Sequence, residues 1–268
     1  LTLDQDSLQF LTLGHGADER QIAVTAEPGR QPGLFWLSGF KSHMNGSKAE
    51  ALAAHAKARG QAVTRMDYSG HGLSGGAFED GTISRWLEEA LAVFERCTSG
   101  PQVLIGSSMG GWLALRLTQE HRKAALASGQ PSRIRGLVLI APATDFTEEL
   151  IWKMRLDEEG RERLMRDGRI ERPSAYGDGP YAITRQLIED GRNHLLLDKR
   201  LTTGCPVTIL QGREDPDVPW QHASRLLEAL AEDDVIFTLI PDGDHRLSRP
   251  QDVDLLLQAV DRLSGLKA

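Results

Sequence analysis

Ser108 is the residue of this sequence best placed for nucleophilic chemistry. It is the centre of a G-x-S-x-G pattern, with Gly106 and Gly110 on either side. The apolar run 103–105 precedes this pattern and a helical apolar pattern follows it, which predicts a sharp strand-to-helix turn. Such a turn strains the serine and exposes its hydroxyl, and the helix N-terminus behind it favours a developing negative charge. The pattern therefore predicts Ser108 as a nucleophile.

The same stretch has two alternative interpretations. A glycine-rich turn is also a common structural connection between a parallel strand and its helix. A phosphate-binding loop joins the same elements, but neither G-x-G-x-x-G nor G-x-x-x-x-G-K-[ST] fits residues 103–117. The choice between catalysis and structure then depends on whether an acid and a histidine follow in a suitable order.

An acid and a histidine do follow Ser108, each directly after a predicted strand. Asp215 lies in the turn after the strand 206–210, and His245 lies after the strand 235–240. A serine hydroxyl is a weak nucleophile unless an imidazole takes its proton, and a buried carboxylate must hold that imidazole in one tautomer. We therefore predict His245 as the base, and later the acid, and Asp215 as the carboxylate that orients it.

Other residues compete for these roles. Asp217 is two positions from Asp215, and Asp145 also follows a predicted strand. The spacing G-x-x-D-x-x-V-P favours Asp215 because it is the first aspartate beyond the strand turn. His71 precedes Ser108 in the chain, and we expect it to pack the turn in which it lies. No pair of histidines has the spacing of a metal site, and no metal or other cofactor is expected.

Two backbone amides are candidates for an oxyanion hole. Met109 directly follows the nucleophile, and Phe40 lies in the turn after the apolar run 34–37. In a strand-to-helix nucleophile turn the donors come from these two places, and each donor stabilises the oxyanion of the transition state. We therefore predict the N–H groups of Phe40 and Met109 as the oxyanion hole.

The elements around these residues predict the fold class. Short apolar runs alternate with helical patterns, which is typical of a mainly parallel sheet with helices on both faces. The predicted functional residues fall at the carboxyl ends of strands, where function collects in such sheets. The predicted elements are an antiparallel hairpin of 8–13 and 21–26, strands at 34–37, 62–66 and 134–141, and helices at 48–59, 83–97, 220–230 and 251–263.

The alternation breaks after Asp145. Residues 146–200 contain no strand-like run, carry many charges of both signs and include the turn-rich stretch 173–180. We expect a small helical cap laid over the strand ends, where it excludes water and shapes the substrate pocket. The predicted organisation is one α/β domain over residues 1–268 with this insertion.

Composition sets broad limits on function. The chain has 268 residues, of which 40% are hydrophobic and 26% charged, with a net charge of −7. This balance does not suggest a nucleic-acid surface, and no apolar run is long enough to cross a bilayer. Two cysteines, Cys97 and Cys205, do not make a disulfide framework, so a cytoplasmic, reducing compartment is expected. The first residue is not Met, so a removed leader is compatible with the sequence.

Several motifs together resemble one branch of the α/β hydrolases. They are LSGFKSHMNG at 37–46, DYSG at 67–70, GSSMGGWL at 106–113, DPDVPW at 215–220 and DHR at 244–246. The branch is that of the mitochondrial palmitoyl-protein thioesterase, which is also a mycophenolic acid acyl-glucuronide esterase. The α/β-hydrolase pattern covers nearly the whole chain, whereas residues 146–200 match far less clearly.

The resemblance implies an α/β-hydrolase fold and a serine hydrolase that removes acyl groups from cysteine and cleaves acyl glucuronides without a cofactor. The nucleophile of the branch falls on Ser108, its acid on Asp215 and its base on His245. The implied partner is a small-molecule or acyl-protein ester or thioester. A hydrolase of another class on the same fold, such as a carbon–carbon bond hydrolase, and a non-catalytic lipid-binding module remain alternatives.

Overall fold

One eight-stranded sheet organises the structure, a computed structural model that describes residues 8–173 and 179–265. In chain order the strands are β1 (Leu8–Leu13), β2 (Arg20–Glu27), β3 (Arg30–Leu37), β4 (Gln61–Met66), β5 (Gln102–Ser107), β6 (Ile134–Ile140), β7 (Arg169–Arg172), β8 (Tyr181–Thr184), β9 (Val207–Gly212) and β10 (Val235–Ile240). The order in the large sheet is β1-β2-β4-β3-β5-β6-β9-β10. Within the described part of the chain, β7 and β8 form a separate two-stranded sheet.

The direction of the strands matches the predicted class. β1 pairs antiparallel with β2, and β2 antiparallel with β4. From β4 through β3, β5, β6 and β9 to β10, every pairing is parallel. The predicted hairpin at the start of the chain and the predicted mainly parallel sheet are therefore confirmed.

Helices cover both faces of the sheet. The helices are α1 (Ser47–Ala58), α2 (Ile83–Cys97), α3 (Met109–Ser128), α4 (Glu158–Asp167), α5 (Arg185–Gly191), α6 (Trp220–Ala229) and α7 (Pro250–Ser264). Apolar residues of α1 and α7 form one core cluster, and those of α2, α3 and α6 belong to the other. In β5, Leu104 joins the second cluster while Val103 and Ile105 join the first. Since both faces are buried, the strand reads as a continuous apolar run.

The segment 146–200 connects β6 to β9. It contains a π-helix (Thr147–Arg155), then α4, β7, β8 and α5, and a single 3₁₀ turn (Arg192–His194). A π-helix is rare and depends on tertiary packing, so the sequence pattern did not predict it. Its residues Leu150 and Ile151 are buried in the same core cluster as α3.

The prediction that residues 146–200 contain no strand was wrong. β7 and β8 form an antiparallel pair in which Ile170 lies opposite Ile183, and both side chains are buried. The sequence of β7, RIER, holds one apolar residue among charges, and β8 has only four residues. Strands this short give no clear two-residue period, so the segment is a mixture of helices and a small hairpin. Part of the turn-rich stretch 173–180 lies outside the described residues.

Two smaller expectations also concern the fold. Among the residues that the structure describes, no helix combines the length and the apolar character needed for a bilayer span. Cys97 and Cys205 are both free thiols, each partly buried.

Candidate active site

Ser108 lies in a strained turn at the carboxyl end of β5. Its backbone has φ 54° and ψ −118°, a region that side chains rarely adopt, and its N–H donates to the Ile140 carbonyl at 2.8 Å. A Cβ at Gly106 would lie 2.3 Å from the Gly110 carbonyl oxygen, and one at Gly110 would lie 2.1 Å from the Leu37 carbonyl oxygen. Only glycine fits at these two places, so the local sequence dictates the turn that presents the hydroxyl.

The structure brings the predicted serine, histidine and aspartate together. His245 Nε2 is 3.1 Å from Ser108 Oγ, and His245 Nδ1 is 2.8 Å from Asp215 Oδ2. A carboxylate only accepts hydrogen bonds, so Nδ1 carries the proton and Nε2 is free to accept the serine proton. These are the contacts that general-base activation of a serine requires.

Backbone groups hold Asp215 in place. Its Oδ1 accepts the N–H groups of Asp217 and Val218, each at 2.8 Å, and its Oδ2 accepts the Gln211 side-chain amide at 3.2 Å. The carboxylate side chain is fully buried, while the imidazole of His245 is 15% exposed. A buried carboxylate held in this way can fix the orientation of the imidazole.

The competing acids have other partners. Asp217 Oδ1 lies 3.0 Å from Arg155 Nη2, and Asp145 accepts the backbone N–H groups of Leu196 and Leu197 at 2.8 to 2.9 Å. Asp145 thereby ties the end of the segment 146–200 to the end of β6. Of these three acids, Asp215 is the one that the structure places against His245 Nδ1.

The residues predicted to supply the oxyanion donors, Phe40 and Met109, lie close to Ser108. Met109 is the first residue of α3, where a backbone N–H has no partner within the helix. Phe40 follows Gly39, where an added Cβ would lie 3.3 Å from Ser108 Cβ. The Phe40 loop and the nucleophile turn are therefore in direct contact, and both residues line the cavity that contains Ser108 and His245.

This cavity is small and mainly apolar on one side. Its volume is about 110 Å³. Phe146, Leu150 and Ile151 come from the start of the segment 146–200, and Val218 comes from the acid loop. Two of the lining residues belong to an aromatic cluster. The ring centroids of Phe40 and Phe146 are 5.5 Å apart, and Phe146 also packs on Trp112 at 5.7 Å. The polar lining residues are Lys41, Ser108, Arg155, Tyr181, Asp217 and His245.

Asp215, Asp217 and His245 are also the candidate cation ligands among the described residues, since their donor atoms lie within 4.8 Å of one another. The Arg155 guanidinium already contacts Asp217, and His245 is bonded to Asp215 and Ser108. A cation there would have to displace these hydrogen bonds. We therefore assign the three residues to hydrogen bonding.

Sequence reasoning missed Lys48, which stabilises the histidine loop. Its Nζ donates to the Arg246 carbonyl, and to Ser248 Oγ at 3.2 Å. Burial, reinforced by the Arg246 guanidinium and opposed by Asp244, lowers the pKa of Lys48 to about 8. It lies near the start of α1 and almost 200 residues away from the loop in sequence, so no local pattern could have indicated this contact.

The role of His71 was also only partly predicted. It packs its turn as expected, and its Nε2 also accepts the backbone N–H of Lys41 at 3.1 Å. Burial, opposed by a hydrogen bond to the Ser69 carbonyl and reinforced by the Lys41 ammonium, lowers the pKa of His71 to about 4. The imidazole is therefore neutral at physiological pH. The motif S-G-H-G at 69–72 was the available signal.

Comparisons with known proteins identify the family. The family model described as "Alpha/beta hydrolase family" matches residues 15–254, and the chain belongs to that family. The protein is thus a hydrolase by class.

Within the family, the chain belongs to a branch with curated members. It is 33% identical over 259 residues to the human "Palmitoyl-protein thioesterase ABHD10, mitochondrial", covering 96% of this chain and 80% of the relative. Among solved structures, it is similar to a putative hydrolase from Agrobacterium vitis S4, with a TM-score of 0.90, 47% identity and coverage of 96% and 98% of the two chains. It is also similar to mouse alpha/beta hydrolase domain-containing protein 10, with a TM-score of 0.82, 33% identity and coverage of 96% and 98%.

Proposed function

We propose that this protein cleaves carboxylic esters or thioesters through an acyl-enzyme formed on Ser108. The observation that carries the proposal is the hydrogen-bonded chain from Ser108 Oγ through His245 to Asp215. Because Asp215 fixes the tautomer of His245, the lone pair of Nε2 faces the serine hydroxyl. Dehalogenases and epoxide hydrolases of this fold use a carboxylate nucleophile, and the serine argues against both.

The proposed reaction has two halves. His245 Nε2 takes the proton of Ser108 Oγ as the oxygen attacks the substrate carbonyl carbon, and the resulting oxyanion accepts the N–H groups of Phe40 and Met109. The tetrahedral intermediate expels the alcohol or thiol, which receives its proton from His245. Water then attacks the acyl-enzyme with His245 again as the base, and the carboxylic acid and free serine result.

The substrate class follows from the relatives. The curated relatives are named palmitoyl-protein thioesterases, and the motif resemblance adds acyl glucuronides. We propose that the segment 146–200 acts as the cap that selects among such esters, because Leu150 and Ile151 form one wall of the cavity beside Ser108. The same relatives are named mitochondrial, and a cytoplasmic location for this chain stays a prediction.

A fluorophosphonate probe tests the nucleophile. We expect the probe to label Ser108 and the wild-type protein to hydrolyse p-nitrophenyl esters. Ser108→Ala should abolish labelling and lower kcat by at least about 10⁴-fold, since Ser108 Oγ is the group that contacts His245 Nε2. Ser107→Ala is the matched control, because Ser107 ends β5 next to the nucleophile and should keep both labelling and turnover. Labelling that survives in Ser108→Ala would reject the proposal.

Turnover of different esters tests the substrate class. A palmitoyl-cysteine thioester, an acyl glucuronide and a simple aryl ester share the same oxyanion but differ in acyl and leaving groups. Comparing their kcat/KM values with one enzyme preparation ranks the acyl and leaving groups that the cavity accepts. A protein that retains a lipid but turns over none of these esters would be a binding module instead.

A further inference from the structure

The loop that carries Phe40 is fixed at three points. Gly39 lies against Ser108, and its carbonyl accepts the Ser42 N–H at 3.0 Å, which closes a tight turn. Lys41 has φ 56°, a left-handed conformation that a lysine rarely adopts. Its backbone N–H donates to His71 Nε2 at 3.1 Å. The strained residue after Phe40 thus has its amide held by an imidazole from the neighbouring turn.

The partners of His71 specify its tautomer. Nδ1 lies 3.1 Å from the Ser69 carbonyl oxygen, which only accepts, so Nδ1 carries the hydrogen. Nε2 must then be the acceptor, and the Lys41 N–H supplies the matching donor. A protonated imidazole would direct a second N–H at the Lys41 N–H. Burial lowers the pKa of His71 to about 4, which keeps the ring in the accepting form.

Aromatic rings immobilise the imidazole. His71 is 4% exposed, and its ring centroid lies 5.2 Å from those of Phe78 and Trp86. Phe40 itself packs on Phe78 at 4.9 Å and on Trp86 at 5.9 Å. The side chain of Phe40 and the acceptor for the next amide therefore belong to one rigid cluster, and the backbone of Phe40 is held from both sides.

We propose that His71 is a positioning residue for the oxyanion hole: by accepting the Lys41 N–H, it orients the Phe40 amide toward the substrate oxyanion. The inference rests on the proposed function and assigns to His71 no contact with the substrate. The donor must lie about 2.7 to 3.1 Å from the developing oxyanion, so a small rotation of the Phe40 peptide is enough to weaken it. Because such a donor acts mainly on the oxyanion of the transition state, its misplacement should change kcat more than KM.

Two substitutions separate the acceptor from the ring. His71→Phe keeps an aromatic ring among its neighbours but has no acceptor for Lys41, while His71→Gln places an amide oxygen near the former Nε2 position. Removal of a whole oxyanion donor costs about 10²- to 10³-fold in kcat. A misplaced donor should cost less, so we expect His71→Phe to lower kcat by about 10- to 100-fold with KM changed less than about threefold. His71→Gln should recover at least part of this loss.

His121 makes a matched contact near the amino ends of the strands. His121 is also buried, packs on Phe94 at 5.0 Å, and its Nε2 accepts the backbone N–H of Arg133 at 3.1 Å. Arg133 precedes β6, so this contact lies at the amino ends of the strands, away from Ser108. His121→Phe should lower the Tm to a similar extent as His71→Phe and leave kcat unchanged.

Fluorophosphonate labelling completes the experiment, because the phosphonyl oxygen occupies the same hole. The labelling rate of His71→Phe should fall in parallel with kcat. If the wild-type protein shows no Ser108-dependent turnover, the proposed function fails. If the wild type is active and His71→Phe keeps its kcat and labelling rate, or if His71→Gln is as slow as His71→Phe, the positioning role is overturned.

Discussion

The carboxyl edge of the sheet and the segment 146–200 hold their residues in different ways. At the edge, backbone groups fix the reactive side chains: amides bind Asp215, and glycine contacts shape the turn of Ser108. Where the segment borders the cavity, side chains also make the contacts, such as the pair of Arg155 with Asp217. This ion pair is about one-quarter to one-third exposed, and such pairs contribute at most about 1 kcal/mol.

Under the proposed function, this difference assigns catalysis to the sheet edge and substrate selection to the segment. A site fixed by the backbone tolerates little change, because the same peptide groups serve the fold. A wall made by Leu150 and Ile151 changes shape with a single substitution while the sheet remains intact. We therefore expect large losses of activity from changes at the edge and altered specificity from changes in the segment.

The strongest test of the edge compares two neighbouring acids. In Asp215→Asn the amide favours the wrong tautomer of His245, and kcat should fall by about 10⁴-fold. Asp217→Asn is the matched control. It weakens the contact with Arg155 but leaves Asp215 Oδ2 in contact with His245, so kcat should stay within about tenfold. Steady-state hydrolysis of a p-nitrophenyl ester measures both. Equal losses in the two variants would contradict the assignment of the acid.

The size of the cavity predicts a preference for small acyl groups. An apolar cavity of about 150 Å³ holds one benzene molecule with its six carbons, so the smaller volume of about 110 Å³ here accommodates about four carbons. A second cavity of about 240 Å³ shares Lys41 and Tyr181 with this one, and its lining includes Glu79 and Glu171, which disfavour an apolar chain. Each methylene that enters the apolar cavity is worth about 0.8 kcal/mol, or about fourfold in kcat/KM.

A chain-length series measures this preference. We expect kcat/KM for p-nitrophenyl esters to rise from acetyl to about butanoyl and then to level off. Ile151→Ala enlarges the cavity and should move this limit by about two carbons toward longer chains. Leu126→Ala, at an exposed site on α3, is the control and should leave the limit unchanged. A continuous rise to palmitoyl in the wild type would show that the segment opens far beyond the described cavity.

Asp145 joins the two regions through its contacts with the amides of Leu196 and Leu197. Its titration predicts a smaller effect, on the pH dependence of stability. Burial, opposed by the amides of Leu197 and Leu196, raises the pKa of Asp145 from 3.8 to about 6. Between these values the folded protein binds a proton that the unfolded chain has lost. The stabilisation from this group is therefore present below about pH 4 and is lost as the pH rises through about 6.

Asp145→Asn does not titrate and provides the comparison. The difference in the free energy of unfolding, variant minus wild type, should rise by up to about 3 kcal/mol between about pH 4 and pH 7, because only the wild type loses stability there. Urea denaturation at several pH values measures the difference. Asp198→Asn removes a nearby exposed carboxylate and should give a much smaller pH-dependent change. A difference that is constant with pH would argue that Asp145 is ionised throughout.

The two regions also differ in how well their sequences predict them. The G-x-S-x-G pattern indicated the turn of Ser108 because only glycine relieves the contacts at positions 106 and 110. The helix predicted at 83–97 is α2, and α1 differs from its prediction by one residue at each end. Strong local patterns and buried strands thus predict the fold class and place Asp215 and His245 at the sheet edge.

Long-range contacts were not predictable in the same way. The π-helix at Thr147–Arg155 and the pairing of β7 with β8 depend on packing between distant residues. The contacts of Lys48 with the histidine loop and of Asp145 with Leu196 likewise join parts of the chain that share no local pattern. The hydrophobic periodicity of a helix or strand predicts which of its faces is buried, but not which residues that face packs against.

The left-handed backbone of Ser108 has an evolutionary consequence. A non-glycine residue in such a conformation costs of the order of 1 to 3 kcal/mol, and this strain is present whether or not the enzyme is turning over. Under the proposed function, hydrolysis requires a serine at a place where a glycine would relax the turn. In a lineage released from that requirement, replacement by glycine at position 108 would be favoured for thermal robustness, so the nucleophile would be among the first residues to disappear.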